Sequence, residues 1–120
     1  MKSLLWLLIP LLLAGGVAGW TTRRPETVTF HTAYQAVLLT NGSVYYGKLE
    51  GLGRPFPVLR DVFYVQVATD TNSKQSSSVL IRRGKEWHGP DYMVLNPDHI
   101  LLVEPVTPGS RVAALIAQAH

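Results

Sequence analysis

The hydrophobic pattern opens with one unbroken apolar block. From Ser3 to Thr22 no residue is charged, and at about 1.5 Å rise per residue this stretch would cross the roughly 30 Å hydrocarbon layer of a bilayer. The block is Leu-rich from Leu4 to Leu13, loosens into Ala14-Gly15-Gly16-Val17-Ala18-Gly19 and ends on Trp20. It predicts a transmembrane anchor over residues 1–22, with Leu4, Trp6, Leu8 and Leu12 towards lipid and Trp20 at the interface. The competing expectation is a signal peptide, with Lys2 as n-region, Leu4 to Leu13 as h-region and Val17-Ala18-Gly19 as cleavage site. Trp20-Thr21-Thr22-Arg23-Arg24 reads as a membrane exit, so a retained single-pass anchor in the cell (inner) membrane is expected. A short N-terminal anchor that enters like a signal sequence would leave the following domain on the extracytoplasmic side.

After a polar linker over residues 23–33, with at most a short extended stretch at Thr27-Val28-Thr29-Phe30, the period drops towards two. Tyr34 to Thr40 and Ser43 to Glu50 are rich in β-formers and flank Asn41-Gly42, a strong hairpin signal that predicts a type I′ turn. Tyr45, Gly47 and Leu49 would share one face of the second strand, and Gly47 there predicts bending or close backbone approach. Val58 to Ala68 is the longest strand candidate. Strict alternation would place Leu59, Phe63, Val65 and Val67 on one side, with Asp61 as the exception, and Val62 and Tyr64 on the other. Apolar residues on both faces imply a strand covered twice, by the interior and by a partner, the anchor end or the C-terminal helix.

Thr69 to Ser78 is polar and low in complexity and predicts a mobile loop. Strands are then expected at Val79 to Arg83, Tyr92 to Leu95 and Ile100 to Glu104, the last two separated by the turn Asn96-Pro97-Asp98-His99. Pro105 and Pro108 break the pattern before Ser110, which can cap a short helix over Arg111 to Gln118. Short strands and turns without βαβ alternation predict a mainly β fold. The expected architecture is an N-terminal transmembrane helix, a small β-barrel of five to six strands over residues 34–106, and a C-terminal helix within 107–120.

Composition narrows the chemistry. The 120 residues include no cysteine, which excludes disulfides, thiolate metal sites and a thiol nucleophile. Eleven Lys and Arg against eight Asp and Glu give a net charge of +3. Lys2 lies before the apolar block, so the rest of the chain is close to neutral, whereas dedicated nucleic-acid binders are more basic and more clustered.

The run Ala36 to Gly51, with its Leu39-Thr40-Asn41-Gly42 turn and Gly47, followed by Val58 to Val65, resembles the opening of an Sm-like small barrel. Val94 to Glu104 is similar to that family's closing strands. The stretch from Gln35 to Glu104 also resembles a group of uncharacterised short bacterial membrane-anchored proteins, through the Leu-Thr-Asn-Gly hairpin, the Tyr-rich third strand and the His88-Gly89-Pro90 turn. The first resemblance implies a small Sm-like or SH3-like barrel, and the second implies no particular activity. The RNA-contacting Asp and Asn in the second loop of Sm-like proteins have no counterpart at Gly51 to Pro57, and the Arg-Gly of their closing loop has none at Asn96 to His99, so nucleic acid is not the expected partner.

The densest polar constellation is Arg82 to Tyr92. Glu86, His88 and Asp91 offer the carboxylates and imidazole that acid/base work or metal ligation needs. The competing reading is a polar loop whose Trp87 packs back on the barrel. His31, His99 and His120 fall in linker, turn and tail and form no spaced ligand motif. Arg82, Arg83 and Lys85 beside Trp87 make a candidate basic patch for nucleic acid or anionic lipid headgroups, the alternative being a ring-forming Sm-like module. Ser76-Ser77-Ser78 lacks a nucleophile-elbow motif, and no glycine-rich phosphate loop opens a helix. Among the aromatic residues, Tyr46, Tyr64 and Trp87, together with Val62, are candidates for an outer surface that contacts other membrane-complex subunits. The expectation is therefore a non-catalytic accessory or scaffold protein, with no cofactor, no metal and no small-molecule substrate.

Overall fold

The computed structural model describes residues 28–120, so the anchor residues Leu4, Trp6, Leu8, Leu12 and Trp20 lie outside the described part. Among the described residues no helix is long and apolar enough to cross a membrane. Residues 28–34 lead in without forming a strand. Six strands follow: β1 (Gln35–Leu39), β2 (Val44–Glu50), β3 (Val58–Thr69), β4 (Ser76–Arg82), β5 (Tyr92–Val94) and β6 (Ile100–Pro105). A 3-10 turn at Pro97–His99 precedes β6, and one helix, α1 (Arg111–Ala119), ends the chain. All ladders are antiparallel, in the order β4-β3-β2-β1-β6, with β5 alongside the first residues of β3.

The β1–β2 hairpin forms where Asn41-Gly42 predicts it, but not with the expected turn. A type I′ turn needs positive φ at both positions. Here Gly42 alone has it, at 88°. The Gly42 amide donates to the Leu39 carbonyl (2.9 Å) and the Leu39 amide to the Ser43 carbonyl (2.9 Å), which closes a three-residue loop. Asn41 Oδ1 accepts from the Ser43 amide at 3.0 Å and holds the turn from its own side chain.

Strand β3 departs most from simple alternation. Tyr46 pairs with Phe63 and Lys48 with Arg60, so two steps on β2 face three on β3. The extra residue lies at Asp61, whose φ is +51°. Such a bulge bends the strand and resets which side each following residue faces. Val62, expected on the outer surface, is instead 4% exposed and packs with Leu59, Val37 and Leu95 in the core. Phe63, expected beside Leu59, is fully buried on the other face, where it meets the rings of Tyr34 and His120 edge-on at 6.3 and 6.0 Å. The strand is thus covered on both sides, and the chain's own C-terminal segment supplies the second cover.

Partly buried Leu39, Tyr45, Leu49, Met93, Ile100 and Val103 surround that core. With the core residues of β3 they draw on five of the strands or their ends, so the sheet curls around one apolar centre. Gly47 allows the curl. A Cβ built on it would stand 2.8 Å from both the Arg60 carbonyl oxygen and Leu59 Cγ, and neither backbone nor a core side chain can yield that space. Gln35, the one buried polar residue among the described residues, is satisfied at both ends. Its Nε2 donates to the Thr32 carbonyl (2.7 Å) and its Oε1 accepts from the Leu49 amide (2.8 Å).

The polar stretch expected as a mobile loop over Thr69 to Ser78 is shorter. Ser76, Ser77 and Ser78 pair with Thr69, Ala68 and Val67 as part of β4. Lys74 adopts positive φ (57°) and its amide donates to the Asp70 carbonyl, which closes the turn between. Helix α1 starts as expected: the Ser110 hydroxyl accepts from the Ala113 amide at 3.2 Å. Its Ile116 is buried.

Candidate interaction surface

Three groups of side chains could carry function. The first forms around the β3 bulge. Positive φ turns the Asp61 carboxylate to the side covered by α1, and the hydroxyl of Tyr34 donates to its Oδ2. His120 Nε2 lies 2.9 Å from the same oxygen and 3.0 Å from the Tyr34 hydroxyl. Arg82 Nη2 stands 2.9 Å from Oδ1, close enough for strong attraction although the angle does not make a hydrogen bond. Burial alone would raise the Asp61 pKa. The Tyr34 hydrogen bond and the charges of His120 and Arg82 outweigh it and hold the carboxyl below its usual range. The Tyr34 phenol is pushed up to about 12, first by burial and then by its bond to the Asp61 carboxylate. A phenol so firmly protonated supplies no base at neutral pH. The arrangement is a clasp joining the lead-in segment, β3, β4 and the end of α1.

The second group is the loop between β4 and β5. Glu86 turns back on its own loop, its Oε2 accepting from the Gly84 amide (2.9 Å) and its Oε1 from Arg83 Nε (3.2 Å). The Gly84 amide, then that of Glu86 itself and the nearby Arg83 charge lower its pKa. Arg83 also reaches Met93 Sδ at 3.2 Å and lies over the Tyr45 ring. The candidate triplet Glu86, His88 and Asp91 is therefore not brought together as a ligand set. Among the described residues no group of three or more His, Asp or Glu converges. Trp87 does not pack back on the sheet and is fully exposed at the tip of this loop. The basic residues do come together: Arg82, Arg83 and Lys85 line one open groove with Asp61 and Asp91, where Arg82 pairs with Asp61, Arg83 with Glu86, and Lys85 is exposed beside them.

The third group is apolar. On the outer face of β1, β2 and β6 the register sets Val44, Leu38 and Leu102 in one row and Tyr46, Ala36 and Glu104 in the next. Val106, Thr107, Ser110 and Val112 rise beside them to form one wall of an open groove of about 350 Å³. Val44 and Leu102 are exposed in it and Tyr46 is half-buried. Of the residues expected on a contact surface, Tyr46 lines this groove and Trp87 lies on a separate loop. Tyr64 points to the inner side, edge-on to Tyr45 at 6.4 Å, and Val62 is in the core. Sequence patterning missed Ala36, Leu38, Val44 and Leu102 as one surface because their strands become neighbours only through pairing. It also missed Tyr34 and His120 as partners of Asp61. The one available signal was a carboxylate inside an apolar strand.

No family model matches the chain, and no curated protein matches it.

Proposed function

We infer that the chain is a non-catalytic, single-pass membrane protein whose curled sheet is an Sm-like or SH3-like small barrel, acting as an accessory or scaffold subunit of a larger membrane complex. The apolar groove over Ala36, Leu38, Val44, Tyr46 and Leu102 carries this reading. Exposed apolar rows on a sheet face mark a contact surface, and here charged residues are confined to the edge at Glu104, the pattern of an interface centre with a polar rim. The barrel reading draws on the inner cluster shared by five strands and on the bulge at Asp61 that bends β3. Asp61 and Glu86 are both committed to arginine partners, which fits a non-catalytic role for these two carboxylates. Ser3 to Thr22 supplies the anchor in this reading, with the domain on the extracytoplasmic side.

The test is extraction of the full chain from its native membrane in mild detergent, followed by native sizing and identification of co-purifying subunits. The expected result is a particle larger than the monomer that loses its partner in Leu102→Glu, while the circular dichroism of that variant stays unchanged. A strictly monomeric protein with no co-purifying subunit would overturn the reading.

A further inference from the structure

A different face of the domain lies where the chain leaves its apolar N-terminal block. The loop between β2 and β3, Gly51 to Pro57, runs beside the lead-in residues Val28 to Ala33, and together they line an open groove of about 540 Å³. Two apolar side chains stand out at its rim, Phe56 at 72% exposure and Val28 at 56%. The loop that presents Phe56 is pinned at its base. Pro57 is fully buried, its carbonyl accepts from the Leu95 amide at 2.8 Å, and the Arg54 amide donates to the Gly51 carbonyl at 3.0 Å. An aromatic ring held outward on an anchored turn loses little conformational freedom when it meets a partner.

The charges around this groove are of one dominant sign. Among its lining residues Lys48 and Arg54 stand against Glu50, whose carboxylate Arg60 Nε, outside the groove, meets at 3.2 Å. Lys48 reaches over the Tyr34 ring, its Nζ 5.4 Å from the centroid, and remains exposed. The intervening chain adds Arg23 and Arg24 against Glu26. Six residue steps separate Thr22 from Val28, a span of at most about 20 Å when fully extended. If Ser3 to Thr22 lies in the bilayer, this face cannot move far from the headgroups, whereas the β3–β4 turn and the Trp87 loop are under no such constraint. An exposed apolar ring flanked by basic residues suits a membrane surface: the ring enters the headgroup–acyl boundary and the cations meet lipid phosphates.

We propose that the Gly51–Pro57 loop docks on an anionic phospholipid surface, with Phe56 entering the interface and Lys48 and Arg54 contacting headgroup phosphates. This rests on the reading of residues 1–22 as a membrane anchor. Docking fixes the orientation of the domain and leaves the apolar groove on β1, β2 and β6 for a protein partner. Because the chain has no cysteine, a single introduced thiol can be labelled without background.

The experiment uses the full chain reconstituted into vesicles of phosphatidylcholine alone or with phosphatidylglycerol. It carries an environment-sensitive NBD fluorophore on Phe56→Cys, or on Val67→Cys as the distant control. The expected result is co-flotation with both vesicle types, and a blue-shifted, brighter Phe56→Cys signal that strengthens with phosphatidylglycerol. Val67→Cys should keep its aqueous spectrum. Arg54→Gln and Lys48→Gln, added to Phe56→Cys, should each lower the docked-to-free ratio about fivefold at low salt. Co-flotation with an aqueous spectrum at Phe56→Cys in both lipids overturns the loop proposal and leaves the anchor standing. A shift of equal size in both lipids overturns the role of Lys48 and Arg54. Failure to co-float overturns the anchor and the loop proposal together.

Discussion

At the scale of single residues, Gly47 and Asp61 do most to define the domain. Gly47 lies where β2 crosses the bulge of β3, and a methyl group there would meet the Arg60 carbonyl and Leu59 at 2.8 Å. Gly47→Ala is expected to cost about 1–3 kcal/mol by overpacking, read as a lower urea midpoint at unchanged slope. Asp61 combines positive φ with the Arg82, Tyr34 and His120 contacts. Asn tolerates the same backbone conformation, so Asp61→Asn isolates the charge and is expected to cost about 1–3 kcal/mol at neutral pH. The folded-state pKa of Asp61 is lowered. Its contribution is therefore present above the unfolded value of about 3.9 and is lost as pH falls through the folded value. Urea titrations of the two proteins from pH 7 down to pH 3 should show the stability gap narrowing below about pH 4. Tyr34 works in the opposite sense. Its raised pKa means that its contribution holds below the unfolded value of about 10 and disappears only as pH rises through about 12, so it plays no part in the acid limb.

At the scale of elements, α1 packs against β4, and His120 just beyond it covers the outer face of β3 at Phe63. Its N-terminus is fixed by the Ser110 cap, Ile116 is buried along its length, and the His120 ring just beyond it lies on Phe63. Ile116→Ala should cost about 2–4 kcal/mol and Ser110→Ala about 1 kcal/mol. Hydrogen exchange should show the α1 amides opening before those of β1 and β2 in both variants, because the inner cluster of Val37, Leu59, Val62 and Leu95 contains no α1 residue. Uniform acceleration across the sheet would show that α1 and the core unfold as one unit. Element types were largely legible in the pattern. The hairpin at Asn41-Gly42, the long third strand, the turn at Asn96 to His99 and the capped C-terminal helix all form near their expected places. The faces of β3 were not legible, because alternation is inverted by one inserted residue, and nothing local distinguishes a bulged aspartate from an exposed one.

At the scale of the molecule, charge is balanced by pairing rather than by composition alone. Arg82, Arg83 and Arg60 each face a carboxylate, at 2.9, 3.2 and 3.2 Å. A nucleic acid would have to displace these partners, so filter binding over a salt series is expected to show little retention and none of the steep salt slope that several phosphate contacts produce. The two unlike surfaces, the apolar groove on β1, β2 and β6 and the basic, Phe56-bearing rim of the β2–β3 loop, assign different partners to different faces. In the proposed reading the first meets protein and the second meets lipid.

What the sequence determined by itself was much of what is set by neighbours along the chain: strand and helix periods, the positions of the turns though not the type of the Asn41-Gly42 turn, the helix cap, the lack of cysteine and the long uncharged N-terminal block. These follow from local backbone preference and from the count of apolar positions, which require no knowledge of distant contacts. Only the tertiary structure decided which side of β3 is inside, that Asp61 gathers Tyr34, Arg82 and His120, and that Val44, Leu38 and Leu102 form one row. These depend on register between segments far apart in sequence. A single bulge exchanges buried for exposed positions without altering the composition of the strand.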